Sequence, residues 1–398
     1  MSIYRKFKEG LSKNVLFLGI VSGLTDISSE MLYPVIPVFL TAILKANMEV
    51  VGLIEGIAEA TASIFKIWGG YLSDKYRKRK PFVVCGYSLS AISKPLMALA
   101  SSWYFVLFVR FMDRLGKGIR TSPRDALIAA SSDNKHWGKA FGFHRAFDTL
   151  GAAIGPLAAL LLFHFLGESE SSYRYIFLIA FIPAVLSIFI LRYVKDITLA
   201  ENVKTQNNVS KKVPLSKEFK IFTVLYFIFA IGNSSDAFLI LKTKSLGFSM
   251  TEVMLVYFTY NIIYAIISTP AGMIADRIGK IKTFIIGLFI FSAVYFGFGI
   301  NHSRSVVWLL FALYAFYAAL NEGIYKAVIS HLTTDENRGA AMGVFQGISG
   351  IAVFVASFLA GILWNRVSDT APFIFGSATA FISAVLIFVW SKWKRIEV

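Results

Sequence analysis

The stretch Gly142–Leu160, GFHRAFDTLGAAIGPLAAL, sits in a long apolar segment yet carries small or helix-breaking residues at regular places. Gly142 is followed by eight residues and then Gly151, and three more residues lead to Gly155 and Pro156. A helix inside a bilayer tolerates Gly and Pro because neighbouring helices re-satisfy the freed backbone groups. Small residues at i and i+4, here Gly151 and Gly155, let a second helix approach closely. The stretch predicts a membrane-spanning helix pressed against another.

Composition widens that reading to the whole chain. Of 398 residues, 56% are hydrophobic and only 16% are charged, which excludes an ordinary soluble domain. The net charge of +16 is spread between apolar segments and is not gathered on one face or tail. That pattern is a topology signal and gives no reason to expect nucleic acid. The single cysteine, Cys85, excludes an internal disulfide and a cysteine metal cluster. No HExxH, GxSxG or Walker loop occurs, so the sequence predicts no enzyme, no cofactor and no metal.

Apolar segments of spanning length fall near 15–44, 48–72, 81–101, 104–128, 139–165, 174–193, 219–245, 250–275, 281–301, 305–330, 338–365 and 371–391. Charges interrupt the first, second, fourth and fifth. An even number of spans puts both termini on one side. The termini, the central loop and the turns on that side hold 25 Lys and Arg, against six on the other. The positive-inside rule then predicts a multi-pass plasma-membrane protein with both termini cytoplasmic.

The longest polar stretch, 194–218, divides the chain into 1–193 and 219–398. The halves echo each other. Gly70-Tyr-Leu-Ser-Asp74-Lys-Tyr-Arg77-Lys-Arg79-Lys80 follows the second segment, and Gly272-Met-Ile-Ala-Asp276-Arg277-Ile-Gly279-Lys280 follows the eighth. The two Asp are 202 residues apart, and Gly138-Lys-Ala-Phe-Gly142 recurs 201 residues later as Gly339-Ala-Ala-Met-Gly343. A constant offset means six spans repeated in parallel.

The loop sequence resembles the signature between helices two and three of the major facilitator superfamily, with Arg77 where a Gly is usual; the second copy keeps that Gly as Gly279. Gly142, Gly151, Gly155 and Pro156 resemble that family's fifth-helix antiporter motif, with Ala159-Leu160 in place of its final Gly-Gly. Arg110-Phe-Met-Asp113-Arg114-Leu-Gly116 resembles the fourth-helix motif, with Asp113 and Arg114 substituted for Gln and Gly. The resemblance implies an all-α membrane fold of twelve helices in two six-helix bundles, working as a monomer in a bacterial or archaeal membrane. It implies that the loop residues Gly70, Asp74, Arg77 and Arg79, their second copies Asp276 and Arg277, and Asp125 at the inner end of helix four latch the cytoplasmic side. It further implies a cavity lined by helices one, four, seven and ten.

Charges inside the spans cost roughly 2.5–3.5 kcal/mol each on insertion scales, so their positions are informative. Segment one carries Asp26 and Glu30 on one face, and segment two carries Glu55 and Glu59 with Lys66 on the same side. Lys94 lies in segment three. Asp113, Lys117, Arg120 and Arg124 form one polar stripe on segment four. Arg145 and Asp148 lie on segment five, Asp236 on segment seven, and Glu322 and Lys326 on segment ten. Deep carboxylates can exchange a proton near neutral pH, which singles out Asp26, Glu30, Glu59 and Asp236. The alternative is a static network that merely neutralises Lys94, Arg114 and Lys117. The second half is rich in aromatics (Tyr257, Phe258, Tyr260, Tyr264, Tyr314, Phe316, Tyr317), which either wall a substrate site or pack. Pro34 and Pro37 break segment one, and Pro95 and Pro183 interrupt others.

The sequence as a whole predicts a secondary transporter of a small solute. Without an ATP site, transport draws on an ion gradient or runs downhill. The fifth-helix motif favours proton-coupled export, with protons, solute and membrane lipid as the partners. The basic stripe of segment four leaves open an importer of a small organic anion, siderophore or amino acid. A lipid flippase and a non-transporting sensor are further alternatives.

Overall fold

The structure, a computed structural model, describes residues 12–133, 136–197, 214–321, 323–334 and 337–394. Glu322, a charge of segment ten, and the centre of the 194–218 linker lie outside the described residues. Among those described, the regular elements are all helical. In chain order they are α1 (Lys13–Leu32), α2 (Val35–Val38), a π-helical turn (Phe39–Ile43), α3 (Met48–Lys75), α4 (Lys80–Ala98), α5 (Trp103–Ala130), α6 (Trp137–Leu166) and α7 (Glu170–Leu191). After the linker come α8 (Lys217–Ala230), α9 (Ala237–Ser245), α10 (Met250–Ile278), α11 (Lys280–Ile300), α12 (Arg304–Asn321), α13 (Ile324–His331), α14 (Arg338–Arg366) and α15 (Ala371–Lys394).

Polar residues set where these helices begin. The hydroxyls of Ser12, Ser102, Ser169, Ser216 and Ser249 accept from backbone N–H groups of the first turns of α1, α5, α7, α8 and α10. Glu252 returns a bond to Ser249 N and completes a capping box. Gly167, with φ of 71°, closes α6 in a conformation that L side chains resist.

The helices make twelve crossings; the first (α1 with α2 and the π-turn) and the seventh (α8 with α9) are broken, and α12 and α13 lie on either side of residue 322 in the tenth. Eight crossings are long and apolar enough to span a bilayer on those grounds alone, the first and fifth included. The remaining four are α3, α4, α5 and the α8–α9 pair. Charge explains α3 and α5. Three serines and Lys94 dilute α4, and a break between Ile231 and Asp236 leaves α8 and α9 individually short. Pro34 and Pro37 do interrupt the first crossing, but Pro95 and Pro183 sit inside continuous helices. Large apolar side chains such as Phe165 and Tyr104 are exposed along helix flanks, as a lipid solvent permits.

The chain divides into two compact units. The first is Met1–Phe39 with Thr61–Lys204, and the second is Leu40–Ala60 with Thr205–Val398. In the first, α1 runs beside α6 and α7, and α4 runs beside α5 and α7. Glycines set these contacts: a Cβ at Gly86 would stand 2.5 Å from Gly116 O and 2.6 Å from Arg120 Cβ. In the second unit, α11 lies against α12 and α15, α10 against α12, and α8 against α15. Gly52 and Gly56 of α3 meet the α14 backbone at Ser357 and Phe354 there.

Each half also ties the start of its first helix to the end of its fourth crossing. Asn14 Nδ2 donates to Ser131 Oγ (3.1 Å) and to Lys195 O (2.9 Å), and Lys195 N donates back to Asn14 Oδ1 (2.9 Å). Ser216 Oγ donates to Leu332 O (2.8 Å), and Asn337 Nδ2 to Pro214 O (3.4 Å). Asn14 and Ser216 are 202 residues apart and Ser131 and Leu332 are 201 apart, so the anchorage repeats with the sequence.

Candidate functional site

In the first unit the charged residues gather around the α1–α6 seam and the α4–α5 contact. The fifth-crossing glycines set the seam. A Cβ at Gly151 would stand 2.5 Å from Gly23 O and 2.9 Å from Asp26 Cβ, and one at Gly155 would stand 2.8 Å from Glu30 Cβ. The two helices run parallel, with Gly19 against Phe143 and Gly23 against Phe147. Asp26 and Glu30 are thereby held at the height of the two glycines. Pro156 is buried within α6. Gly142 stands apart from this pattern, with nothing within 4 Å of where its Cβ would be.

Asp26 is half-buried, and its charged neighbours are Asp148 on α6, Glu30 on its own helix, and Lys117 and Arg120 on α5. Arg124 Nη1 donates to Ser22 Oγ on α1 (3.1 Å). On the other side of α5, Asp113 accepts from Lys94 Nζ (2.8 Å), Ser90 Oγ (2.6 Å) and Ser93 Oγ (3.3 Å). Lys94 and Asp113 are buried, as are Arg110 and Arg114 beside them. Arg120 lies 4.4 Å over the Tyr87 ring on α4, while Lys117 is exposed. The polar stripe of segment four is thus divided between α4 on one edge and α1 on the other.

At the α3–α4 turn, Arg79 Nη1 donates to Ala126 O (3.0 Å) and Arg79 Nη2 lies 3.8 Å from Asp74. Gly70 packs on Ser122 of α5. Asp125 is bound by Arg124 (2.9 Å) rather than by a loop cation. Arg77 adopts φ of 52°, a left-handed conformation, at the position where the loop signature has Gly. Gly279 in the second copy has φ of 99°, and Asp276 and Arg277 are exposed just before it.

In the second unit, Asp236 stands at the break between α8 and α9 and accepts from Tyr314 OH at 2.6 Å. Tyr260 stacks on Tyr314 (5.6 Å) and Tyr257 on Tyr260 (5.7 Å), and Tyr317 lies 5.3 Å from Tyr314. Phe316 is exposed instead. Glu55, buried, accepts from Ser235 Oγ (3.3 Å), and Ser235 N donates to Ser357 Oγ. Glu55 and Glu59 therefore belong with Asp236 in this unit, whereas Asp26 and Glu30 belong to the other.

His144, which no sequence motif singles out, is buried, and its Nδ1 lies 3.4 Å from Asp148 Oδ2. Its signal lies in the sequence, since His144 and Asp148 are one turn apart inside the Gly142–Leu160 stretch. Among the described residues no three His, Cys, Asp or Glu side chains converge as a metal site requires.

The Major Facilitator Superfamily model matches residues 18–241 and 221–395. The uncharacterized MFS-type transporter MJ1317 of Methanocaldococcus jannaschii is 39% identical over 383 residues, covering 95% of this chain and 94% of the relative. The inner membrane transport protein YajR of Escherichia coli is 23% identical over 385 residues, covering 95% of this chain and 82% of its own. Among solved structures, a mutant of the nucleoside transporter NupG superposes with a TM-score of 0.79 at 14% identity, covering 95% of this chain and 99% of that one. A D-xylose–proton symporter superposes with a TM-score of 0.76 at 16% identity, covering 94% and 96%. The chain belongs to the major facilitator superfamily of membrane transporters.

Proposed function

We propose that the protein exports a small solute in exchange for protons, by alternating exposure of a midplane site. The observation that carries this is the placement of Asp26 and Glu30 against Gly151 and Gly155, beside Lys117 and Arg120. A charge at membrane depth costs roughly 2.5–3.5 kcal/mol. A carboxylate that gains and loses a proton switches that cost on and off, and biases whichever state shields it better. Asp26, with Glu30 as its neighbour, takes the proton in this reading. The Asp236–Tyr314 pair and its aromatic surround in the second unit contact the solute. The termini and the α3–α4 turn face the cytoplasm, and the monomer is the working unit.

The test uses inside-out vesicles with an imposed pH gradient and a pH-quenched dye, challenged in turn with organic cations, organic anions, metal ions and siderophores. Proton efflux triggered by one class, and lost in Asp26→Asn or Glu30→Gln, supports the reading. Unchanged proton movement in Asp26→Asn, Glu30→Gln and Glu59→Gln removes it. A second reading, uptake of a small organic anion, is favoured by Arg120, whose buried Nε and Nη1 have no hydrogen-bond partner among the described residues. Full uptake by Lys117→Ala and Arg120→Ala argues against it.

A further inference from the structure

We propose that Asp148 and His144 form a proton relay on α6 between Asp26 and the membrane face at which α1 and α6 begin. The inference rests on the proton-coupled reading above and adds the route by which the proton reaches that face.

The register of the seam supplies the geometry. Asp26 faces Gly151, and Asp148 lies one turn before Gly151 on the same helix. Asp148 is among the charged neighbours of Asp26, which places the two carboxyls on opposite sides of the same stretch of the seam. One turn further towards the start of α6 stands His144, with Nδ1 3.4 Å from Asp148 Oδ2. The Glu30–Asp26 and Asp148–His144 steps each cover about 6 Å along the axis and the Asp26–Asp148 step about 4.5 Å, since a helix rises about 1.5 Å per residue. The path Glu30, Asp26, Asp148, His144 therefore runs from membrane depth towards the face where α6 starts at Trp137.

Burial makes this more than a row of charges. His144 is 4% exposed, and its Nε2 has no hydrogen-bond partner among the described residues. Asp148 Oδ1 is likewise buried without one. A histidine kept only for packing would satisfy its second nitrogen. The groups facing His144 are Asp148 and Arg145 on α6, with Arg124 and Asp125 on α5. Those facing Asp26 are Glu30, Asp148, Lys117 and Arg120. The other titratable residue of α1 is Lys13, at its start, and on α7 Glu170, Tyr173, Arg174 and Tyr175 lie in its first turns, level with the far end of α6. Imidazole is the side chain suited to passing a proton at neutral pH, because it binds at one nitrogen and releases from the other.

The steps balance. The Asp26 carboxyl loses its proton to the Asp148 carboxylate, so one O–H bond breaks as another forms. Asp148 then gives that proton to the Nδ1 lone pair of neutral His144. The imidazolium loses its Nε2 proton towards the start of α6, and the ring resets by moving its remaining proton between nitrogens. One proton has left Asp26, which ends as a carboxylate, while Asp148 and His144 return to their starting charges. The reverse sequence loads Asp26.

The experiment needs no solute. Protein is placed in liposomes with the termini outward, and the outer solution is jumped from about pH 8 to about pH 5. The C=O stretch of protonated Asp26, assigned with Asp26→Asn, is followed in time. The relay predicts that His144→Gln and Asp148→Asn each slow its appearance by on the order of a hundredfold. The final amplitude is retained, and added imidazole restores the rate of His144→Gln. Unchanged rates in both variants overturn the relay while leaving Asp26 as the proton carrier. A slowed His144→Gln with altered final amplitude and no response to imidazole also overturns it, since His144 then acts structurally. Absence of any Asp26 band in the parent protein removes the proton-coupled reading, and the relay with it.

Discussion

Gly151 on α6 and Asp26 on α1 meet so closely that a methyl group at Gly151 would stand 2.9 Å from Asp26 Cβ. The apolar helix is cut away where the carboxylate of its neighbour must sit. Gly151→Ala is expected to push α1 and α6 apart, costing about 1–3 kcal/mol by overpacking, and to impair transport. Gly142→Ala meets nothing within 4 Å and serves as the matched control. It is expected to leave stability unchanged or to raise it by up to about 1 kcal/mol through helix propensity. Thermal unfolding of the two variants in one detergent makes the comparison.

The Lys94–Asp113 pair is buried at 2.8 Å with two serine hydroxyls on the carboxylate. Removing one partner strands the other charge. Asp113→Asn and Lys94→Met are each expected to destabilise by about 3–5 kcal/mol. The double variant Lys94→Met with Asp113→Leu is expected to recover much of that loss, because an apolar pair of similar size replaces the ions. Melting temperatures of the three variants check the non-additivity.

Arg77 holds φ of 52°, where an L side chain is strained by about 1–2 kcal/mol. Arg77→Gly relieves the strain but loosens the unfolded chain, so a net gain of under about 1 kcal/mol is expected. The reverse change, Gly279→Arg at φ of 99°, is expected to destabilise. Chemical denaturation of both variants in micelles decides whether the two loops answer with opposite signs.

Tyr314 donates to Asp236 at 2.6 Å beside a break in the seventh crossing. Tyr314→Phe keeps the ring and its stacking on Tyr260 while removing the hydroxyl. It is expected to cost about 1.5–3 kcal/mol, the range for a hydrogen bond to a charged group. If the aromatic surround contacts solute, KM for the solute identified in the vesicle panel rises more than kcat falls. An equal KM would confine Tyr314 to a structural role.

Much of this arrangement can be read from the residues. The spacing of Gly151 and Gly155 implies a close helix partner, and Asp26 and Glu30 four apart imply a single polar face. Which helix would partner α6 is not contained in either pattern, because periodicity gives a face and not its neighbour. The same limit explains Glu55 and Glu59, which share a face with Lys66 on the helical wheel. In the fold the first part of α3 packs on α14, so Glu55 binds Ser235 while Lys66 stays with α5 through its carbonyl and Ser122. His144 carries no such signal by itself, because the five histidines of the chain are scattered and form no motif. Only the turn between His144 and Asp148, seen beside Asp26, gives it a context. Pro95 and Pro183 show the opposite error, since surrounding helices hold a proline-bearing helix continuous where an isolated one would break.

The duplicated anchorage has a consequence for how the gene can be cut. Asn14, Ser131 and Lys195 are all supplied before residue 197, and Pro214, Ser216, Leu332 and Asn337 all after residue 213. No bond of either anchorage spans the stretch between. A chain opened there, and expressed as two polypeptides, keeps both tethers whole. Each fragment can fasten its own first and fourth crossings during synthesis, before it meets its counterpart.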